Sequence, residues 1–540
     1  MNLLFDPWIP VRCRSGAIRD IAPLDLADTD DPPLELAAPR PDFNGALAQF
    51  LIGVLQTTVE VADTDSWTEL YQTPLSAEEL RDIFAPDRAA FELVNESGPA
   101  FMQEPDVQAL SAAEPKPLDT LLIDAPGANT IENNADLFIK RDRIAVLSPA
   151  AAAMALLSMQ INAPSGGAGH RTSLRGGGPL TTLLWPQVCA DGTPSTLWQK
   201  IWANLLLQRG DEKAKKRADM WPWLAATRTS EKGQVIQGGP LGLNYFACPR
   251  RIRLRWSDGS GQRCAVFGSE HPQVAIAWST QNYGANYGSD QFKHPLSPYY
   301  RLKPDSEWLP LHPKPGGFSY RDFLSIAASD KSKEPARVVR ELMLKSTAQF
   351  DQAGKNAIWA FGFDMDNMKA RAWYEAYFPV YAGVDTGRLA ERAGEFIAAA
   401  VLAREKLGRG LREAWSSAAE GNTQAVEQHF WAYTEAQFYQ RMESTLVIDT
   451  ANVAELAAYI EAKLSWIKYL RRTLSTLFEQ YAEPNLPDID ALERAANARK
   501  KMLNDFYFSA CKELQVPVLK NVDLRKAVDT PINTAKLEAA

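Results

Sequence analysis

From Asn452 to Gln480 the chain sets Leu456, Ile460, Leu464, Ile467, Leu470, Leu474 and Phe478 at intervals of four, four, three, three, four and four residues. A helix brings residues three and four apart onto one face, so this stretch predicts a long helix whose apolar stripe needs partners. Asn452, with Glu455 three residues on, supplies its N-terminal cap. Comparable patterns run roughly over 385–417, 423–443 and 488–512, with breaks near Gly421-Asn422, Ile448-Asp449 and Pro484–Pro487. Four long helices with short connections predict an antiparallel four-helix bundle. It is assigned to residues 376–515, followed by a polar tail over 516–540. Its outer faces carry Arg388, Arg392, Arg404, Lys406, Arg409, Arg412, Lys468, Arg471 and Arg472, a surface suited to docking.

Residues 1–375 follow no single period, and the fold class is α+β: a large mixed α/β N-terminal domain, then the bundle. LLFDPWIPVR and AIRDI flank a turn at Arg14-Ser15-Gly16 and predict a hairpin. Asn44 caps GALAQFLIGVLQTTV, Ser76 and Glu79 make a capping box, and Ser148-Pro149 opens a third helix. LTTLLW reads as a strand and TLWQKIWANLLLQRG as a helix. RRIRLRW, QRCAVFG, VAIAW and YYRLKP read as strands, the first placing Arg251, Arg253 and Arg255 on one face, either solvated or against phosphate.

Bulk properties exclude several classes. No apolar run approaches the ~18 residues of a membrane span, and MNLLFDPWIP lacks a signal peptide's basic start and apolar stretch. Five scattered cysteines make neither a metal spacing nor a disulfide framework, so a cytoplasmic protein with reduced thiols is expected. The net charge of −8 is unevenly spread. Residues 1–120 hold 22 acids against 7 bases, and the remainder 44 acids against 51 bases. A basic face for nucleic acid is compatible with that asymmetry.

The segment Ile161–Trp185, INAPSGGAGHRTSLRGGGPLTTLLW, carries the chemistry. Gly166, Gly167, Gly169, Gly176, Gly177 and Gly178 surround His170, Arg171, Thr172, Ser173 and Arg175. Glycine lets a backbone approach a ligand closely, and arginine offers a fork of donors suited to phosphate. A Walker loop would need Gly-Lys-Ser/Thr where the chain has Gly169-His170-Arg171, and a dinucleotide fingerprint would need glycine at Thr172. Five histidines without paired spacing, and Asp364-Asp366 as the nearest acid pair, leave no catalytic or metal site and no cofactor expected. A nucleic-acid loop is the leading reading. A nucleotide-dependent enzyme and a purely structural scaffold are the alternatives.

Four segments in order, MNLLFDPWIPVR, APSGGAGHRTSLRGGGPLTTLL, KHPLSPYY at Lys293–Tyr300 and AFGFDMDNMKARAWYE at Ala360–Glu375, resemble the large-subunit (CasA) family of the type I-E CRISPR Cascade surveillance complex. The resemblance implies a non-catalytic DNA-recognition subunit in antiviral defence. Such a subunit reads a double-stranded protospacer-adjacent motif (PAM), aids strand opening and R-loop formation, and helps recruit a helicase-nuclease. Its partners would be the other Cascade subunits, the guide RNA and the target DNA. By the same resemblance Ser165, Gly166, Gly167, Ala168 and Gly169 read the minor groove of the PAM, with Arg171 and Arg175 near the DNA backbone. In the family's wedge region Asn367 stands where relatives carry glutamine, Met368 offers an apolar wedge, and Lys369 with Arg371 offsets Asp364 and Asp366. Read by itself, this stretch is also a helix start, with Asp364 or Asp366 capping MKARAWYE. A loop over 127–143, with Asn129, Asn133, Asn134, Lys140, Arg141 and Arg143, would reach the guide's 5′ end and nearby DNA. The cysteine cluster of some relatives is reduced to Cys248 and Cys264, which argues against zinc. For the PAM-reading lysine of some relatives, Asn282, Asn286 and Lys293 are the candidates.

Overall fold

The N-terminal hairpin forms where its turn residues put it. Strand β1 (Ile9–Cys13) pairs antiparallel with β2 (Ile18–Ile21), and Gly16 turns the chain at φ 89°. A third strand, β3 (Pro33–Leu36), joins the other side of β1. The computed structural model describes residues 1–111, 113–135, 143–167, 169–189, 191–207, 217–288, 292–329, 332–341, 356–381, 383–415, 423–482 and 489–518.

Helix α1 (Pro41–Thr58) starts three residues before the expected cap. Proline suits the first helical turn, where its missing N–H has no partner to lose. Asn44 instead ties down the entering chain, accepting from the Ala38 N–H at 2.9 Å. Helices α2 (Thr64–Gln72) and α3 (Ala77–Phe84) follow. The capping box of α3 is closed in both directions: the Ser76 hydroxyl accepts from Glu79 N at 3.2 Å, and the Glu79 carboxylate accepts from Ser76 N at 2.8 Å. Helix α4 (Pro149–Asn162) begins under the Ser148 cap and is buried along its length against α1. The Phe50 ring on α1 meets Trp8, Phe91, Phe101 and Phe246 edge-on, which centres one apolar core there.

Strand β4 (Thr181–Pro186) is fully buried, as LTTLLW predicts. The helix expected after it is short: α5 spans Leu197–Trp202. Beyond it the Asn204 amide leaves helical duty and brackets Leu184 of β4, accepting from its N–H and donating to its carbonyl, both at 2.8 Å. The last residues of that expected helix, from 208, lie outside the described ones. Helix α6 (Leu241–Phe246) supplies Phe246 to the core. Strands β5 (Arg251–Asp258) and β6 (Gln273–Gln281) pair antiparallel, whereas QRCAVFG between them forms only an isolated Arg263–Glu270 bridge. YYRLKP contributes just β7 (Tyr299–Tyr300), which sits between β8 (Leu309–Pro310) and β9 (Lys333–Glu334).

The stretch read as a wedge or a helix start is neither a loop nor a helix. Strands β10 (Asn356–Asp366) and β11 (Lys369–Pro379) make a long antiparallel hairpin turning at Asn367-Met368, and β10 also pairs with β4. The helix-cap reading of Asp364 and Asp366 is therefore overturned. Asp364 lies inside β10 opposite Ala372, and its carboxylate binds Arg371 rather than a helix N-terminus.

Contacts divide the chain into two units: one of residues 1–317, 325–327 and 331–383, the other of 318–324, 328–330 and 384 onward. The second unit is the helical bundle of α7 (Thr386–Trp415), α8 (Thr423–Leu446), α9 (Val453–Ala482) and α10 (Ile489–Glu513), with α7 against the other three. Leu464, Ile467, Leu470, Leu474 and Phe478 are buried as the stripe requires, but Leu456 is 38% exposed near the start of α9. Asn452 caps α9 through Ala454 N at 3.0 Å, while Glu455 reaches Asp449 N instead. Arg392, expected outside, is buried with its guanidinium 3.7 Å above the Tyr459 ring. Tyr320, from the short 318–324 segment, stacks on Phe438 and hydrogen-bonds Thr434 at 2.8 Å.

Candidate functional site

The glycine-rich segment is a closed loop with two unlike halves. Its ends return to the C-terminus of α4: Ser173 N donates to Ala163 O at 3.0 Å, and Gly178 N to Asn162 O at 3.1 Å. Helix precedes the loop and strand comes after it, the reverse of the strand–loop–helix order of nucleotide phosphate loops. In the first half Ser165 and Gly167 face outward. Gly167 is left-handed at φ 83°, and a Cβ added there would meet nothing within 4 Å. Gly166 and Gly169 form the floor. A Cβ on Gly166 would lie 2.7 Å from the Arg250 guanidinium, and one on Gly169 2.9 Å from the Asn282 Cβ. The Gly169 carbonyl accepts from Tyr283 N at 2.7 Å, and Tyr283 itself holds φ 60°, rare for a bulky residue. Ala168 lies outside the described residues.

The second half packs inward. A Cβ on Gly177 would sit 3.0 Å from Pro164 Cα, and one on Gly178, already at φ 58°, 2.6 Å from the Phe363 carbonyl of β10. Gly177 lets the loop close on itself, and Gly178 admits the hairpin against it. Strand register sets the hairpin's reach: Thr181 of β4 opposes Phe361, so β10 runs on past the start of β4. Six further residues carry the Asn367-Met368 tip roughly 20 Å beyond that point, at about 3.3 Å per residue. Asn367 turns at φ 53°, Met368 is 52% exposed, and Lys369 is exposed opposite Asp366. Arg371 grips the buried Asp364 at 2.7 and 3.1 Å, so its charge is already matched within the hairpin.

The two loop arginines have different fates. Arg171, half-buried, donates to Ser230 Oγ at 2.8 Å, and Ser230 N in turn donates to the Tyr283 carbonyl. Arg175, expected near the DNA backbone, is buried and bonded within the fold. It is 3% exposed, its Nη1 donating to Thr181 and Ser297 at 2.9 Å and its Nη2 to Gln49 at 2.5 Å. Burial alone draws its pKa down to about 10. Arg251, Arg253 and Arg255 are likewise spent internally, on Glu104, on the Gly98 and Glu104 carbonyls, and on Ser279. Neither of the two roles offered for that strand face applies to them.

Two bases that the sequence did not single out stand beside the loop. Arg250 donates to the Pro164 carbonyl, and its backbone N–H to Gln160 at 3.1 Å. Lys116 is fixed by a two-way backbone bridge to Trp278, with its ammonium 5.4 Å from that ring's centre. Burial, then the charges of Arg250 and Lys116, lowers the His170 pKa to about 4, which keeps its ring neutral at physiological pH.

Of the three candidates for a base-reading side chain, Asn282 is the one the fold brings to Gly169. Asn286 is half-buried, its main-chain carbonyl accepting from Ile236 N at 2.7 Å, and Lys293 pairs with Glu334 at 2.8 Å over the Trp308 ring. Asn133, Asn134 and Arg143 are exposed, and residues 136–142 between them lie outside the described residues. The side chain of Asn129, together with Lys140 and Arg141, lies outside the described residues. Among the described residues no group of three or more His, Cys, Asp or Glu could hold a metal ion, and no helix is long and apolar enough to cross a membrane.

Against known proteins, the family described as CRISPR-associated protein Cse1 matches residues 2–477. Thermus thermophilus CasA (Cse1) superposes with a TM-score of 0.66 at 18% identity, over 94% of this chain and 99% of that one. Thermobifida fusca Cse1 gives 0.67 at 17%, over 95% and 98%. A chain from a structure described as a CRISPR RNA-guided surveillance complex gives 0.65 at 15%, over 94% and 99%.

Proposed function

The chain belongs to the CRISPR-associated protein Cse1 family, and from that premise we propose that it is the non-catalytic DNA-recognition subunit of an RNA-guided surveillance complex. The first half of the glycine loop enters the minor groove of a double-stranded PAM. The groove is narrow, and its edges distinguish mainly A·T from G·C, so a backbone without side chains can follow it where a bulkier segment cannot. The observation that carries this reading is Gly167, left-handed, outward-facing and open beyond its Cα, on a loop whose other glycines are closely packed, Gly166 on Arg250, Gly169 on Asn282 and Tyr283, Gly176 on His312, Gly177 on Pro164 and Gly178 on β10. A rigid platform with one bare contact point is suited to shape reading. Arg171, at the loop's shoulder, sets register against the backbone, and Asn282 lies where a base edge would arrive.

The hairpin tip acts beside this. Met368 is an exposed apolar side chain on a braced β-turn, the kind of group that unstacks a base step, and Asn367 offers an amide to the edges so exposed. Lys369 follows with a positive charge. The segment around Asn133, Asn134 and Arg143 reaches the guide RNA, the bundle docks neighbouring subunits, and the assembled complex recruits a helicase-nuclease. The test is Gly167→Asp in the complete complex, assayed by mobility shift on duplexes with and without the PAM. Loss of discrimination by tenfold or more, with assembly intact, is expected from added bulk and repulsion of phosphate. Wild-type discrimination would remove the loop from PAM reading.

A further inference from the structure

The bases beside the glycine loop lack acids to match them. Among the described residues, Lys116, Arg228 and Arg250 form no ion pair with any carboxylate, although the chain as a whole is acidic. Arg250 reaches the loop, its guanidinium 2.7 Å from where a Gly166 Cβ would stand, and with Arg228 it lines one pocket of about 190 Å³. Its two carboxylates do not neutralise them: Glu104 is held by Arg251 at 2.6 Å and Thr227 at 2.9 Å, and Asp219 pairs with neither arginine. A Cβ on Gly166 would stand 2.7 Å from both the Arg250 guanidinium and the His170 Cβ, so these two side chains meet under the loop, and burial, then the charge of Arg250, lowers the Lys116 pKa. The Lys116 backbone is clamped to β6, which continues into Asn282 and Tyr283, so this base cannot drift from the loop. Like charges gathered without counter-charges repel one another in the free protein and are relieved by an anion.

We propose that Lys116, Arg228 and Arg250 form a phosphate-binding collar that takes a backbone phosphodiester of the duplex and sets how deeply the glycine loop enters the groove. This rests on the reading of the loop as a groove-entering element, and deepens it. Arg250 has a second task, holding the Pro164 carbonyl and thus the loop itself, which makes it a poor probe. Lys116 and Arg228 are exposed and serve better.

The experiment measures affinity of the assembled complex for PAM-bearing and PAM-scrambled duplexes across a salt series, for Lys116→Gln, Arg228→Gln and the control Arg263→Gln. Arg263 is a remote, exposed arginine paired at 3.5 Å with Glu270. Each collar variant should weaken both duplexes alike and flatten the slope of log affinity against log salt by about 0.9, one phosphate contact fewer, with the control unchanged. Unchanged slopes in both collar variants, or an equal fall in the control, would overturn the collar. A second arm titrates inorganic phosphate at constant ionic strength in a thermal-shift assay. Stabilisation by phosphate that the collar variants lose, with the DNA slope untouched, would mean a free-anion site and would also overturn the assignment. Gly167→Asp run alongside separates the two ideas: normal discrimination there sinks the loop reading, whereas lost discrimination with unchanged collar slopes sinks the collar alone.

Discussion

Replacing Arg175 with methionine should cost stability and leave DNA contacts alone. The guanidinium makes three hydrogen bonds, to Thr181, Ser297 and Gln49, all buried. Bonds from a charged donor are worth about 1.5–3 kcal/mol each, so their loss removes roughly 6 kcal/mol. Burying the charge works the other way. The fall of its pKa from 12.5 to about 10 corresponds to roughly 3 kcal/mol that methionine would recover. The difference is about 3 kcal/mol of destabilisation. Reorientation recovers little of it, because Ser297 already donates to the Leu180 carbonyl and Gln49 to the Gly45 carbonyl. With an unfolding entropy of about 2.1 cal/mol/K per residue, the larger unit should melt roughly 4 °C earlier. Arg175→Lys should recover only part of this, since one ammonium cannot repeat the planar fork. The assay is paired thermal and denaturant unfolding of the full chain, with salt-dependent DNA binding of the assembled complex. A variant that melts like wild type while its salt slope flattens would show that Arg175 faces phosphate and that the reasoning is wrong.

Gly178→Ala should destabilise by about 2–4 kcal/mol in denaturant unfolding, since its methyl would press on the Phe363 carbonyl at 2.6 Å from a left-handed backbone. Gly167→Ala, equally left-handed but facing open space, should cost only about 1 kcal/mol, and equal losses at the two sites would refute the division of the loop. At the hairpin tip, Met368→Ser should leave duplex affinity unchanged but slow strand opening about tenfold, roughly 1.4 kcal/mol, read by 2-aminopurine fluorescence beside the PAM. An unchanged opening rate would remove the wedge.

How much could be read in advance depends on how far away the cause lies. The Ser76–Glu79 box, the Ser148-Pro149 helix start and the Leu464–Phe478 stripe have causes within a few residues, and each formed. The hairpin was open to reading too. In KARAWYEAYF the charged Lys369, Arg371 and Glu375 fall on one set of alternate positions and Ala370, Ala372, Ala376 and Phe378 on the other, a period of two. The acidic pair ahead of it drew attention to a cap that β10 leaves no room for.

Arg171 and Arg175 show where local reading ends. They stand four residues apart in one polar, glycine-rich stretch, and nothing nearby separates them. Two of the three partners of Arg175 are more than a hundred residues away, and they exist as a pocket only once α1, β4 and the 294–299 turn have assembled. The glycines divide in the same way. Gly166, Gly169, Gly177 and Gly178 are small because Arg250, Asn282, Pro164 and Phe363 press on them. Gly167 touches nothing, so only its left-handed backbone calls for glycine. The folding cost of Gly167→Ala is then the backbone's alone, so any loss of DNA discrimination beyond it would measure a partner that arrives from outside.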